Sequence, residues 1–279
     1  MTEKFSSEDA KLTLYRDAPS WDNLKTAAIG EFSCKTPEAG TALLSNVAKQ
    51  VQSDGFDAVV GPMDGDTWHK YRLITETDGS APFLLEPGGK PHDLAAFQSA
   101  GFASISTYFS ASVPLDQIDA TIPAETTAFQ VEAWDGTEPA ALFAQVHDLS
   151  CTAFANNPFY KPIGIDAFLA MYMPVVPMLK REMILFARDA DKALVGFLFG
   201  IPDYGEGPDP QSAILKTYAS LRKGAGHALS SQFYHAAKTL GYQTAIHALM
   251  HDDNLSALRS DMKGAKVFRR YALMGCRFD

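Results

Sequence analysis

The sequence has little cysteine, no long apolar run and no excess of positive charge. Its three cysteines, Cys34, Cys151 and Cys276, lie far apart and form no C-x-x-C pair of the kind used for zinc or dithiol redox chemistry. No stretch approaches the about 20 apolar residues that span a bilayer, and the N-terminal MTEKFSSEDAKLTLY has no apolar stretch behind a basic leader. We therefore expect a cytoplasmic protein with no membrane partner.

The charge balance also argues against a nucleic-acid partner. The 33 acidic and 24 basic side chains give a formal net charge of −9, which would repel a phosphate backbone. The composition is otherwise that of a globular protein, with 46% hydrophobic and 20% charged residues. A length of 279 residues suggests two domains.

One pair of histidines has the spacing of a metal-binding helix. His247 and His251 are four residues apart, but they belong to the apolar run AIHALMH, which is typical of a strand. On a strand, these side chains would not converge on one ion. We expect no metal site.

A proline-containing segment of low hydrophobic periodicity, ASVPLDQIDATIPAETT, divides the chain. We predict an N-terminal domain over residues 1–112, a linker over 113–128 and a C-terminal domain over 129–279. The first domain has a strand, a helix from Pro37 to Asp54, a buried strand, a turn-rich segment, a helix near His92 to Ala100 and a final strand. The second has a strand, two helices, a three-stranded meander, a helix, a strand, a short helix from Leu255 to Met262 and a last strand.

This order predicts an α/β (α+β) fold, with a mixed, mostly antiparallel, twisted sheet flanked by helices. Strand, helix, Gly-aromatic and strand recur on both sides of the linker, with Gly55-Phe56 and Gly241-Tyr242 at matching places. The recurrence indicates two related domains, or an order that any α/β protein can show.

The most informative segment is a strand that leads through RKGAG into an amphipathic helix. Glycines allow successive backbone N–H groups to point into one concavity, and a helix N-terminus adds partial positive charge there. Arg222 and Lys223 flank this loop. It is either a pyrophosphate site or a tight connection between a strand and a helix.

The C-terminal part, residues 129–279, resembles the GNAT acyltransferase superfamily. The resemblance lies in ARDADKALVGFLFG, in the RKGAGHAL loop after the fourth strand and in the HDDN turn before the last short helix. It extends weakly into the N-terminal part through AAIGEFSC, DAVVGPMDGD and AGFASISTYFSA. The resemblance implies a GNAT-like fold and acetyl-CoA as co-substrate.

Two departures from the family pattern stand out. Leu221 occupies the place where the loop usually starts with Arg or Gln. In the N-terminal copy TPEAGTAL takes the place of the loop, where Pro37 removes a donor and Glu38 adds negative charge. We expect that copy to be degenerate and to bind no CoA.

The resemblance also implies cofactor-binding residues. The fourth strand would bind the pantetheine arm, the loop would bind the phosphates, and Asn254 would lie beside the cofactor or serve only as a helix N-cap. The set is Thr217, Tyr218, Ala219, Arg222, Lys223, Gly224, Ala225, Gly226, His227 and Asn254.

The family's usual acid, a Tyr on the last helix, is missing, because the corresponding position lies near Asp261. Tyr271 on the final strand is a candidate substitute, or a packing residue. His251 is a candidate proton relay, or a solvated loop residue. Asp203 lies where the acceptor amine would enter and is a third catalytic candidate.

Five residues are candidates for binding the acceptor. They are aromatic or basic side chains from the region of the first two C-terminal helices, from the end of the third strand and from WHKYR: Tyr160, Tyr172, Tyr204, Trp68 and Arg72. The helical aromatics are equally explained as core residues. WHKYR is expected to edge a cleft between the two parts.

These residues predict an acyl-CoA-dependent N-acyltransferase, with acetyl-CoA as donor and an amine of a small molecule or peptide as acceptor. The alternative is a non-catalytic CoA-binding sensor or scaffold. A third possibility, an aminoacyl-tRNA-dependent transferase, is disfavoured by the net charge of −9. An oligomer is compatible with the sequence.

Overall fold

The computed structural model describes residues 2–118, 128–253 and 264–278. Within them, one 12-stranded sheet has the order β1-β2-β3-β4-β12-β6-β11-β10-β9-β8-β7, and β5 pairs with β12. The strands are β1 (Thr2–Ser6), β2 (Ala10–Tyr15), β3 (Thr26–Cys34), β4 (Ala58–Gly61), β5 (Leu73–Thr77), β6 (Ala103–Pro114), β7 (Gln130–Ala133), β8 (Ile184–Arg188), β9 (Leu194–Pro202), β10 (Ser212–Ser220), β11 (Thr244–His251) and β12 (Lys266–Arg277).

Helices flank this sheet and bury one face each. They are α1 (Pro37–Ser53), α2 (Asp93–Ser99), α3 (Pro139–Ala153), α4 (Ile165–Tyr172) and α5 (Ala225–Thr239). The predicted apolar stripes are buried, as at Val47 in α1 and Phe233 in α5, both fully inaccessible at 0%. The predicted fold class is confirmed. No helix in the described ranges combines the length and apolarity needed to cross a membrane.

The same unit occurs twice in the sheet. In each half an antiparallel meander, β1–β3 or β8–β10, is followed by a helix and then by a strand parallel to the meander's last strand. The parallel pairs are β3 with β4 and β10 with β11. The predicted recurrence of one supersecondary unit is therefore present in the fold.

The last strands of the two halves are exchanged. β6 lies against β11 of the other half, and β12 lies between β4 and β6. Each half thus completes its sheet with a strand from the opposite half, and backbone hydrogen bonds join the two halves. The boundaries at 112 and 129 stay a prediction; β6 itself continues to Pro114, and residues 119–127 of the predicted linker lie outside the described residues.

Three elements differ from the sequence expectations. The sequence analysis predicts neither β1 nor β2. Most β1 residues are exposed and give no apolar alternation, whereas β2 alternates through the buried Leu12 and Leu14 and carries a signal that could have revealed it. The turn-rich segment after β4 contains β5, a short strand of which only Leu73 is buried. The predicted helix Leu255–Met262 lies outside the described residues.

Candidate active site

β10 and β11 separate partway along their length. Parallel pairing runs from Ser212 opposite Thr244 to Leu215 opposite His247, and β10 then continues to Ser220 without a partner in β11. The register of β10 against β9 shifts at Lys216, which is the extra residue between Leu215 and Thr217. A gap therefore opens between the two strands beyond Leu215.

This gap opens into a cleft of about 1500 Å³ whose walls come from both halves. Thr217 and Tyr218 of β10 and Ala248 and Leu249 of β11 line it. All five predicted acceptor-binding residues also line it: Trp68, Arg72, Tyr160, Tyr172 and Tyr204. Burial raises the pKa of Tyr172.

Trp68, a residue of the N-terminal half, packs into the aromatic cluster of α3 and α4. Its ring centroid lies 6.1 Å from that of Tyr160 and 5.6 Å from that of Phe168. Its indole N–H donates to the carbonyl of Lys161 at 2.8 Å. WHKYR therefore edges the cleft between the halves, as predicted.

Arg72 is buried between two tyrosines, with only 6% of its surface exposed. Its guanidinium carbon lies 3.9 Å from the ring of Tyr71 and 3.8 Å from the ring of Tyr108. Nη1 donates to the carbonyl of Leu249 in β11 at 3.1 Å, whereas buried Nε has no partner among the described residues. Arg72 thus lies on the β11 side of the gap.

Lys216 lies on the β10 side of the same gap, and sequence reasoning missed it. Its Nζ is 3.4 Å from the carbonyl oxygen of Leu85. Burial, assisted by the charge of Arg72 and opposed by that of Glu86, lowers the pKa of Lys216 to about 8. The available signal was a single lysine in the otherwise uncharged strand SAILKTYAS.

His251, the predicted proton relay, lines the cleft and begins a chain of hydrogen bonds. Its Nδ1 accepts from the backbone N–H of Asp253 at 3.1 Å, so Nε2 carries the proton and donates to Ser106 Oγ at 3.1 Å. Ser106 donates in turn to the hydroxyl of Tyr108 at 2.9 Å. Sequence reasoning did not identify Ser106 or Tyr108.

Tyr271 and Asp203 do not line this cleft. Tyr271 is 1% exposed; its hydroxyl donates to Glu86 and lies 3.1 Å from Ser110 Oγ, and burial followed by the Glu86 contact raises its pKa. This is the environment of a packing residue with a satisfied hydroxyl, the alternative given above. Asp203, also buried, accepts from Leu84 N at 2.8 Å and so anchors a segment of the N-terminal half.

The predicted phosphate loop precedes α5 on the surface. Arg222 and Lys223 are exposed, and Gly224 has φ of 94°, a conformation that favours glycine. No side chain among the described residues caps α5 at Gly224, and its first turn holds no acidic residue. The N-terminus of α5 therefore fits an anion.

The other predicted cofactor-binding residues differ in their exposure. Ala225 and Gly226 are buried, His227 is half-buried, Ala219 is 5% exposed and Asn254 lies outside the described residues.

The corresponding places in the N-terminal half are occupied by the chain itself. The Thr36 hydroxyl caps α1 by accepting from Ala39 N at 3.2 Å. Met63 N donates to the carbonyl of Ile29 at 2.8 Å, where the pairing of β3 with β4 ends. A Cβ at Gly30 would lie 2.5 Å from Met63 O, which shows how closely this segment covers β3.

One group of potential metal ligands lies in the N-terminal half, and one of its members, Asp93, lines the cleft. Sulfur, nitrogen and oxygen atoms of Cys34, His92 and Asp93 lie within 4.8 Å of one another. Burial raises the pKa of the Cys34 thiol to about 11, which disfavours the thiolate that binds metals. Asp93 also accepts from Lys90 N at 2.7 Å. The group fits a hydrogen-bonded cluster.

Solved structures resemble this chain over nearly all of its length. A tandem GNAT protein from the clavulanic acid biosynthesis pathway superposes with a TM-score of 0.55 at 14% identity, over 99% of this chain and 83% of that one. A GCN5-related N-acetyltransferase from Sphaerobacter thermophilus gives 0.59 at 12% identity, over 97% and 81% of the two chains. One from Anabaena variabilis gives 0.55 at 12% identity, over 95% and 58%. No protein-family model and no curated protein matches the chain. The chain therefore has the GNAT fold, built as two halves.

Proposed function

We propose that this protein is an acyl-CoA-dependent N-acyltransferase that uses acetyl-CoA and an amine of a small molecule or peptide. The observation that carries the proposal is the contrast between the two halves. The gap between β10 and β11 opens into the large cleft, whereas the chain's own Met63 covers the end of the β3–β4 pairing. The GNAT fold of its structural neighbours agrees with this activity.

Residues of β10 and of the loop that follows it fit a CoA thioester, although Arg222, Lys223 and the first turn of α5 lie outside the lining of the cleft. Arg222, Lys223 and the uncapped N-terminus of α5 would bind phosphate groups through charge and backbone N–H donors. The unpaired edge of β10 at Thr217 and Tyr218 would bind the pantetheine arm through its backbone groups. The thioester supplies an already activated acyl group.

The protein's remaining tasks are to position a neutral amine for attack on the thioester carbonyl and to remove its proton as the C–N bond forms. The C–S bond then breaks, and CoA leaves as a thiolate that takes up a proton from a group or water in the cleft. Trp68, Tyr160 and Tyr172 form an aromatic wall that would orient the acceptor and exclude water. His251 would accept the proton at Nδ1, after that nitrogen exchanges its hydrogen bond with the Asp253 N–H. Ser106 would hold the ring by accepting from Nε2.

The alternative is a non-catalytic protein that binds CoA as a sensor or scaffold. It is favoured by the burial of the Tyr271 hydroxyl outside the cleft lining and by the fact that both ring nitrogens of His251 are already hydrogen-bonded. The two functions differ in turnover, because both require CoA to bind.

Incubation with acetyl-CoA and a broad amine panel separates them. Release of free CoA thiol above the rate without enzyme, reduced at least tenfold in His251→Ala, would support the transferase. Calorimetric binding of CoA with no release for any amine would support the sensor. Absence of CoA binding would contradict both. Cytoplasmic location and the absence of nucleic-acid and membrane partners stay predictions.

A further inference from the structure

Two cationic side chains approach the mouth of the open gap from opposite sides. Arg72, from the N-terminal half, reaches the carbonyl of Leu249 on β11, and Lys216 projects from the bulge of β10. Both line the same cleft, and they are close enough for the charge of Arg72 to act on Lys216. Within the described ranges, neither forms an ion pair with a carboxylate.

Most carboxylates that line the cleft are engaged elsewhere. Glu86 accepts hydrogen bonds from Arg269 and Tyr271, and its side chain is only 1% exposed. The remaining lining carboxylates are Glu31, bonded to Thr13; Asp64, bonded to Glu31 N; Asp93, bonded to Lys90 N; and Asp253, which is exposed. The pair Arg72 and Lys216 therefore lacks a counter-charge of its own.

Such an arrangement is costly in the free protein. Partial burial withdraws both cations from water, and each repels the other. Acidic side chains outnumber basic ones by 33 to 24 in this chain, yet among those described only the charge of Glu86, which is already hydrogen-bonded to Arg269 and Tyr271, favours the Lys216 cation, and none forms an ion pair with the two cations. A ligand that brings its own negative charge would remove this cost, and the fork of a guanidinium suits a planar carboxylate.

Accordingly, we propose that Arg72 and Lys216 bind a carboxylate of the substrate at the mouth of the gap between β10 and β11. The inference rests on the proposed transferase function and names its substrate class. The carboxylate can belong to the acceptor, as in an amino acid with a free amine, or to the acyl group, as in a succinyl thioester. In either case the group that the pair binds is a carboxylate.

The test compares charged substrates with neutral partners of the same shape. Amino acids are compared with their carboxamides using acetyl-CoA, and succinyl-CoA is compared with acetyl-CoA using one amine. Calorimetric titration with CoA, acetyl-CoA and succinyl-CoA accompanies the kinetic assay. We expect one of the two comparisons to favour the carboxylate at least tenfold in kcat/KM or in affinity.

Lys216→Gln and Arg72→Lys should each reduce that preference, while the affinity for CoA alone changes less than twofold. Lys49→Gln removes the same charge from an exposed position of α1 and should leave the preference intact. If Arg72→Lys unfolds the protein, the preference measured in Lys216→Gln alone tests the inference. A preference for amino acids over their carboxamides places the carboxylate on the acceptor, and a preference for succinyl-CoA over acetyl-CoA places it on the donor.

Three results would overturn the inference. One is turnover with no preference in either comparison, and another is a preference that Lys216→Gln leaves unchanged. The third is an equal loss of affinity for CoA itself, which would make the pair a phosphate site. If the proposed transferase function is itself wrong, no substrate will cause release of CoA. The calorimetric affinities for succinyl-CoA and acetyl-CoA would then still show whether the pair binds a carboxylate on the acyl group.

Discussion

The carboxylate of Asp64 accepts a hydrogen bond of 2.7 Å from the backbone N–H of Glu31, beside the end of the β3–β4 pairing. Lys216 holds a comparable place in the other half, at a register shift just beyond the β10–β11 pairing, and there the cleft is open. In the N-terminal half the chain's own groups thus bond to the strand edge of β3, whereas in the C-terminal half the corresponding edge of β10 is left open to a ligand.

From this difference we expect one CoA to bind per chain. Gly224→Val should weaken that binding at least tenfold, about 1.4 kcal/mol, because Gly224 is half-buried before α5 at a φ of 94°, where a β-branched side chain is strained and blocks the approach of a phosphate to the backbone. Titration calorimetry measures both the stoichiometry and the dissociation constant, and thermal unfolding verifies that the variant is folded.

Thr36→Val is the matched control in the N-terminal half. It removes the cap of α1, which we expect to cost about 1 kcal/mol of stability, and it should leave CoA affinity unchanged. A stoichiometry of two, or a Thr36→Val protein that binds CoA less well, would show that the N-terminal half also takes part in cofactor binding.

Tyr271→Phe should act on stability and hardly on turnover. The substitution deprives the buried Glu86 and Ser110 of a hydroxyl partner, which costs about 1–3 kcal/mol when a buried polar group loses its hydrogen bond. Chemical denaturation gives the free energy of unfolding, and steady-state kinetics gives kcat. A tenfold fall in kcat without loss of stability would instead identify Tyr271 as the acid.

Trp68→Ala should affect the acceptor more than CoA. The indole packs against Tyr160 and Phe168 and bonds to Lys161, so its removal opens the aromatic wall of the cleft. We expect the acceptor KM to rise at least fivefold while the CoA dissociation constant stays within twofold. Trp68→Phe, which keeps an aromatic ring but loses the N–H and part of the packing, should be intermediate. Equal losses of acceptor and CoA binding would show that Trp68 contributes to the stability of the fold and not to acceptor recognition.

Much of the fold was predictable because its long elements carry strong local patterns. The stripe that buries Val47 in α1 and Phe233 in α5 is visible as a helical period, and the strongly apolar β9 is followed in the chain by β10. The GNAT resemblance rested on the position of RKGAG after that strand, which the fold reproduces. Sequence order did not reveal the exchange of β6 and β12, because neighbouring strands in a sheet need not be neighbours in the chain.

The site was less predictable, since it depends on contacts between distant segments. Arg72 and Lys216 are separated by about half of the chain and line one cleft only because the two halves enclose it. Tyr271 stays a candidate acid by its place on the last strand, whereas its burial beside Glu86 depends on a segment whose turn-rich sequence carries no periodic signal. Tertiary packing decides such positions.

Selection for a carboxylate should fade as the pH rises through about 8. In the free protein the pKa of Lys216 is lowered to about 8, so the side chain is protonated and attractive below that pH and neutral above it. The ratio of kcat/KM for an acid over its amide, with each value divided by the fraction of that substrate whose amine is neutral, reports the free enzyme and should fall severalfold between pH 7 and 9. Lys216→Arg, which stays charged, should hold the ratio constant, and Lys216→Gln should keep it low throughout.

The same lowered pKa makes an independent prediction about stability. The unfolded chain takes up a proton on Lys216 below about 10.5, whereas the folded chain does so only below about 8. The free-energy cost of burying the charged Lys216 is therefore fully present below pH 8, and it is lost as the pH rises from 8 to 10.5. The free energy of unfolding of the wild type, relative to Lys216→Gln, should increase over this interval in urea titrations. A constant difference would mean that Lys216 is not desolvated in the folded protein, and would remove the electrostatic reason for an anion at this position.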